Sequence, residues 1–230
     1  MKIELKKKPK NPIIIEGFPG FGLIGTIVTE FLLEHMNCEL IGEFIYDDLP
    51  AIAAIHKGKL IKPMAVHYSK KYNIVILQTI LNPKGKEWAI AKAILDMAKQ
   101  LKAKKIISVE GVTSPNILKS TNNIFYYGDK KLEKFGLKLI DESIVVGVTS
   151  SVMLRYDNSV CIFAETHSRL PDSKAAAKVI KTLDKYLGLK VDYKPLLKQA
   201  HDFESKLKSL MKQTSKASEE SDKKYLSYLG

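Results

Sequence analysis

Up to about residue 190 the chain alternates short, continuous apolar runs with longer amphipathic stretches, and this alternation constrains its fold more than any other feature. A run such as Ile13-Ile14-Ile15 or Ile74-Val75-Ile76-Leu77 has no polar face. It must be covered on both sides, as the central strands of a layered sheet are. The stretches between carry apolar residues at helical spacing. Leu23, Ile24, Ile27, Val28, Phe31, Leu32 and Met36 form one stripe. Trp88, Ile90, Ala91, Ile94, Leu95, Ala98 and Leu101 form the buried side of a second helix over Glu87 to Leu101. A third helix opens at Pro171 and Asp172, continues through Ala175, Ala176, Val179, Ile180, Leu183 and Leu187, and is capped by Gly188. Further strands are predicted at Leu40 to Ile45, Ile52 to His56, Ala65 to Tyr68, Ile106 to Val109, Leu137 to Ile140 and Val160 to Ala164. A short helix is predicted around Lys130 to Phe135 and a helical segment near Ser143 to Leu154, with loops at Ser114 to Asn123 and at Tyr126-Tyr127. Strands interleaved with helices imply an α/β fold whose central sheet is mostly parallel and flanked by helices.

Charge and composition exclude several function classes. The net charge is +12, from 37 basic against 25 acidic residues, yet every basic residue except Arg155 and Arg169 is a lysine. Recognition of base edges and phosphates favours the flat, bidentate guanidinium, so nucleic acid is not the expected partner. No apolar run approaches the ~20 residues of a spanning helix, and Met1-Lys2-Ile3-Glu4-Leu5 leads into lysines rather than the apolar core of a signal peptide. Cys38 and Cys161 share no CxxC motif and read as small buried hydrophobes of a cytoplasmic protein. His35, His56, His67 and His201 show no metal-ligand spacing, so no metal is expected.

The division expected is an α/β domain over 1–192, a C-terminal helix over 193–211, and a linker with an apolar tail over 212–230. Leu196, Ala200, Phe203, Leu207 and Leu210 recur at coiled-coil intervals over about two heptads. So short a helix is marginal alone, and the seam must dock on its own domain or on a second subunit. After a polar stretch the chain reads Tyr225-Leu226-Ser227-Tyr228-Leu229-Gly230. These apolar residues either fold back over a groove or form a tethered anchor for a partner. One such tail binds weakly, because ordering it offsets much of the gain from burial, but several tails on one oligomer bind by avidity.

Gly20-Phe21-Gly22-Leu23-Ile24-Gly25 is a literal GxGxxG between a strand and a helix, and Glu43 follows at a distance suited to a ribose contact. It reads either as a dinucleotide fingerprint or as a turn that brings the helix close to the sheet. Glu110 and Glu165 each follow a predicted strand, with His167 two residues after Glu165. At the edge of a parallel sheet a carboxylate and an imidazole can do acid–base work, or simply cap backbone amides. No nucleophile motif is present, and a nucleoside- or dinucleotide-binding protein or enzyme using Gly20, Phe21, Gly22, Gly25, Glu110, Glu165 and His167 stands as the alternative reading.

Four blocks carry a family resemblance: Glu16-Gly17-Phe18-Pro19-Gly20-Phe21-Gly22-Leu23-Ile24-Gly25; Asp47-Asp48-Leu49-Pro50-Ala51-Ile52; Ile106-Ile107-Ser108-Val109-Glu110-Gly111; and Pro171-Asp172-Ser173-Lys174-Ala175-Ala176-Ala177 leading to Leu187-Gly188-Leu189-Lys190-Val191-Asp192. The chain resembles the proteasome assembly chaperone family, in its archaeal second-chaperone branch. The resemblance implies a fold like that of nucleoside phosphorylases and related hydrolases, no established catalysis, action as homo-oligomers or paired heterodimers (a homo-oligomer being expected here), and the proteasome α-subunits or 20S particle as partner; no cofactor is expected. It also implies partner binding through the tail residues Tyr225, Leu226, Tyr228, Leu229 and Gly230. The tail departs from the family ending of hydrophobic–tyrosine–any residue, since Leu229 is penultimate and Tyr228 precedes it.

Overall fold

The computed structural model describes residues 1–47, 54–56, 58–82, 84–113, 123–166 and 170–198, together with Ser209 and Lys212. Its strands are β1 (Lys2–Leu5), β2 (Ile13–Glu16), β3 (Glu39–Ile45), β4 (Ala54–His56), β5 (Lys59–Ile61), β6 (Met64–Ser69), β7 (Ile74–Thr79), β8 (Lys105–Thr113), β9 (Ile124–Tyr127), β10 (Lys138–Leu139) and β11 (Ser159–Thr166). Its helices are α1 (Ile24–His35), α2 (Glu87–Leu101), α3 (Val148–Met153), α4 (Ser173–Leu187) and α5 (Lys194–Lys198), with 3-10 turns at Phe21–Leu23 and Lys130–Phe135.

The described strands, apart from the β4–β5 ribbon, join in one sheet of order β1-β3-β6-β7-β2-β8-β11-β9-β10. The α/β layering is as expected, with parallel pairing concentrated in the middle, where β7, β2, β8 and β11 run side by side. On one flank β1, β3, β6 and β7 pair antiparallel, and on the other β9 runs against β11 while pairing parallel with β10. Connection length explains the difference. The short link from Ser69 to Ile74 permits only a hairpin, whereas β7 reaches β8 through α2 as a crossover.

Helices cover both faces. On one, α1 and α4 bury Ile27, Phe31, Val179, Ile180 and Leu183 against Ile15, Ile107, Val109 and Ile162. On the other, α2 and α3 bury Ile90, Ile94, Met97, Val148 and Val152 against Ile14, Val75, Leu77 and Ile106. The four central strands are therefore apolar on both sides, which is why they read as uninterrupted runs.

Several local expectations change. Trp88 is not in the core but half exposed, its ring 4.6 Å from the Arg155 guanidinium. At 3.6 residues per turn, Trp88 lies on the side of α2 away from Ile90, Ile94 and Leu101. Tyr126-Tyr127 are not loop but the end of β9, with Tyr126 buried in the core and its hydroxyl donating to Glu133. The helix predicted from Ser143 begins only at Val148, after Gly147 at φ 87°. Of the seam residues, Leu196 in α5 is buried in its own domain beside the cluster holding Leu189 and Val191. Ala200, Phe203, Leu207 and Leu210 lie outside the described residues, as do Ile52, most of the Ser114 to Asn123 loop and the tail residues Tyr225 to Gly230. Among the described residues no helix is long and apolar enough to cross a membrane.

Candidate functional site

Alternation along the central strands sets the chemistry of the α2–α3 face. Ile14 and Ile106 pack into that core, so Glu16, Ser108 and Glu110, two or four residues on, face the same way. The register opposes Glu16 to Ser108, Ser108 to Cys161, and Glu110 to Phe163. The result is a short polar row near the C-terminal ends of the parallel strands, where α/β sheets commonly bind ligands.

Thr149 of α3 comes down onto this row. Its Oγ1 lies 3.4 Å from Glu16 Oε1 and 3.3 Å from Glu110 Oε2, and it has one proton to offer the two acceptors. The Gly111 amide donates to Glu110 Oε1 at 3.1 Å. Glu16 is fully buried and Glu110 is 7% exposed, and Glu16 Oε2 has no hydrogen-bond partner among the described residues. No ion pair among those residues engages either carboxyl.

Burial raises the Glu16 carboxyl to about 7, with the Ser108 and Thr149 hydroxyls and the Phe18 amide opposing the rise. Burial, and then the charge of Glu16, raise Glu110 to about 8. At neutral pH the pair therefore holds at least one proton. Cys161 is pushed upward by burial and then by the nearby Glu16 charge, so its thiol stays protonated.

Glu110 lines a cleft of about 490 Å³. Its walls are Phe18 to Phe21 and Leu23 on the glycine-rich side, and Ile144 to Val148 leading into α3; Gly111 to Thr113, Asn82, Lys84 and Glu87 complete the lining. Ile144 is 90% exposed, an isoleucine held largely in solvent at this site.

The glycine block is closely packed. Gly17 and Gly25 lie back to back, so a Cβ on either would enter the other's backbone, and one on Gly25 would also strike the Val109 carbonyl. Gly22 sits at φ 62° with the Thr166 side chain against it, and a Cβ on Gly20 would overlap the Glu110 carboxyl. Leu23 takes the left-handed conformation at φ 49°, a strained geometry for a branched side chain at the entry to α1. The turn brings α1 against the sheet, which is the structural role open to it from sequence.

Of the residues singled out in sequence, Gly20, Phe21 and Glu110 line the cleft, whereas Gly22 and Gly25 are packed away from it. Glu110 and Glu165 lie within β8 and β11 rather than beyond them, because both strands run further than their apolar runs suggest. Glu165 accepts hydrogen bonds from the Asn123 amide and side chain, both at 3.2 Å. His167 lies outside the described residues. Sequence reasoning missed Glu16 and Thr149. A carboxylate closing the all-apolar run Ile13-Ile14-Ile15 was the available signal for Glu16, and nothing in sequence marked Thr149. Among the described residues no three His, Cys, Asp or Glu side chains are placed to hold a metal.

Comparisons with known proteins agree on kinship. The sequence model of the PAC2 family matches residues 14–211. The crystal structure of Pyrococcus furiosus PbaA, described as an archaeal homolog of proteasome-assembly chaperone, is 30% identical, with a TM-score of 0.82, over 94% of this chain and 99% of that one. The fold is shared with Pyrococcus furiosus PbaB, an archaeal proteasome activator, at 20% identity and a TM-score of 0.70 over 91% of this chain and 98% of that one. In Methanocaldococcus jannaschii the uncharacterized protein MJ0106 is 27% identical over 96% of this chain and 94% of its own.

Proposed function

Because the chain belongs to the PAC2 family, we propose that it is a non-enzymatic, ATP-independent proteasome assembly chaperone or proteasome-binding adaptor. The observation that carries the reading is the near full-length correspondence to a structure described as a proteasome-assembly chaperone homolog. On this reading a homo-oligomeric body presents several C-terminal tails to the α-subunits of the 20S particle. Each tail contributes little alone, and the assembly gains affinity from their number. The glycine-rich turn serves to seat α1 on the sheet and binds no dinucleotide.

The test compares full-length protein with a variant lacking Tyr225 to Gly230 in binding to purified α-rings and 20S particles. Weaker binding by the shortened protein at an unchanged melting temperature is the expected result. Equal binding would remove the tail from the mechanism, and no binding by either form would remove the proteasome.

A further inference from the structure

We propose that the cleft beside Glu110 is a binding site for a primary ammonium group on an aliphatic stem, with Glu110 receiving the ammonium and Glu16 adding its charge from behind. This goes beyond the proteasome reading and does not depend on it.

Three observations converge. The cleft joins largely apolar walls, including Phe18, Phe21 and Val146, to a carboxyl in its lining, which suits a stem ending in a cation. Behind that carboxyl, sharing the Thr149 hydroxyl, lies the fully buried Glu16 with one oxygen unpartnered. Buried carboxyls are ordinarily paired or hydrogen-bonded, and among the described residues no ion pair engages either of these two, so ionising both leaves the site short of positive charge. The shortage is local, because the whole chain carries a net charge of +12.

The occupied lone pairs favour an ammonium over a guanidinium. Glu110 Oε1 already accepts from Gly111, and Oε2 lies within reach of Thr149. A compact point charge can use the remaining lone pairs, whereas a planar fork needs both oxygens presented together. The groups facing Glu110 are Glu16 on β2, Ser108 on its own strand, Cys161 on β11 and Thr149 on α3. Lys84 before α2 and Glu87 in its first turn carry opposite charges in the same lining. Binding an ammonium ion favours the ionised pair, so the proton held there leaves to solvent as the ligand enters.

The chemistry has two sources, a free alkyl amine or a lysine side chain of another protein. Thermal shift and NMR titration of the full chain with n-pentylamine, 1,5-diaminopentane and Nα-acetyl-lysine methylamide at millimolar concentrations, with n-pentanol as the neutral control, test the site and separate the sources. All three amines are expected to bind where n-pentanol does not, and their affinity should rise at least ~3-fold between about pH 6 and about pH 8.5 as the carboxyls ionise. Tighter binding of the diamine indicates a free amine as the natural ligand, and tighter binding of the lysine derivative indicates a protein side chain. Glu110→Gln should abolish the response. Equal binding of pentanol and pentylamine, a pH-independent affinity, or a response that survives Glu110→Gln would overturn the proposal. If that variant does not fold, the pentanol comparison and the pH dependence of the unaltered chain decide the matter.

Discussion

The Asp172 amide donates to the Gly22 carbonyl at 2.9 Å, tying the glycine-rich turn before α1 to the start of α4. Asp172 Oδ1 accepts from the Ala175 amide at 2.9 Å as the helix cap, and its Oδ2 accepts from the Thr166 hydroxyl at 3.1 Å. One side chain thus joins the entry to α4, the end of β11 and, through its backbone, the turn. Asp172→Ala removes the cap and orphans the Thr166 hydroxyl. A loss of about 1–2 kcal/mol is expected in urea denaturation, with Asp172→Asn recovering much of it.

Gly25→Ala tests the packing role of the glycine block. Its new methyl meets Val109 O and the Gly17 backbone, neither of which is a flexible side-chain end. A loss of about 3 kcal/mol is expected, read by chemical denaturation. A stable Gly25→Ala protein would mean that α1 can move off the sheet.

The buried carboxyl pair makes stability depend on pH. Both folded-state values lie above the ordinary 4.5, at about 7 and about 8, so the protonated forms favour the folded state. Their contribution is complete below the unfolded value and is lost as pH rises through the folded ones. At ~1.4 kcal/mol per pKa unit, two carboxyls raised from 4.5 to about 7 and about 8 make the loss between about pH 5 and about pH 9 on the order of 6 kcal/mol. Urea denaturation across that range should show the decline, and Glu110→Gln should flatten it. A constant or rising stability would show that the pair is compensated.

Trp88 and Ile94 share a helix but not an environment. Trp88→Ala should cost less than ~1 kcal/mol, because the ring is half exposed and its partner Arg155 is solvated. Ile94→Ala, at a fully buried position, should cost about 2–5 kcal/mol in the same denaturation measurement.

What was legible in the sequence follows from burial. Ile13 to Ile15, Ile74 to Leu77 and Ile106 to Val109 are covered on both faces, so their apolar runs announced strands directly, and α2 and α4 bury one stripe each while the first turns of α1 are buried all round. The edge strand β1 was not visible, because Lys2 and Glu4 alternate with Ile3 and Leu5 over only four residues. Trp88 misled because size suggested core while its place on the helix pointed outward. Glu110 was found from its position near a strand end. Thr149 belongs to the site only through the way α3 crosses β2 and β8, a relation between distant segments that no local pattern encodes.

The two margins of the long sheet bear on how copies of this chain can meet. At one margin β1 carries an ion pair between Lys2 and Glu4, and at the other β10 is only two residues long with exposed side chains. A charged ledge and a stub are poor templates for adding a further strand. On the proposed homo-oligomeric reading, association between copies is to be sought through a helical surface rather than through one sheet continued from molecule to molecule, and a variant that disrupts such an assembly should map to that surface while leaving both margins untouched.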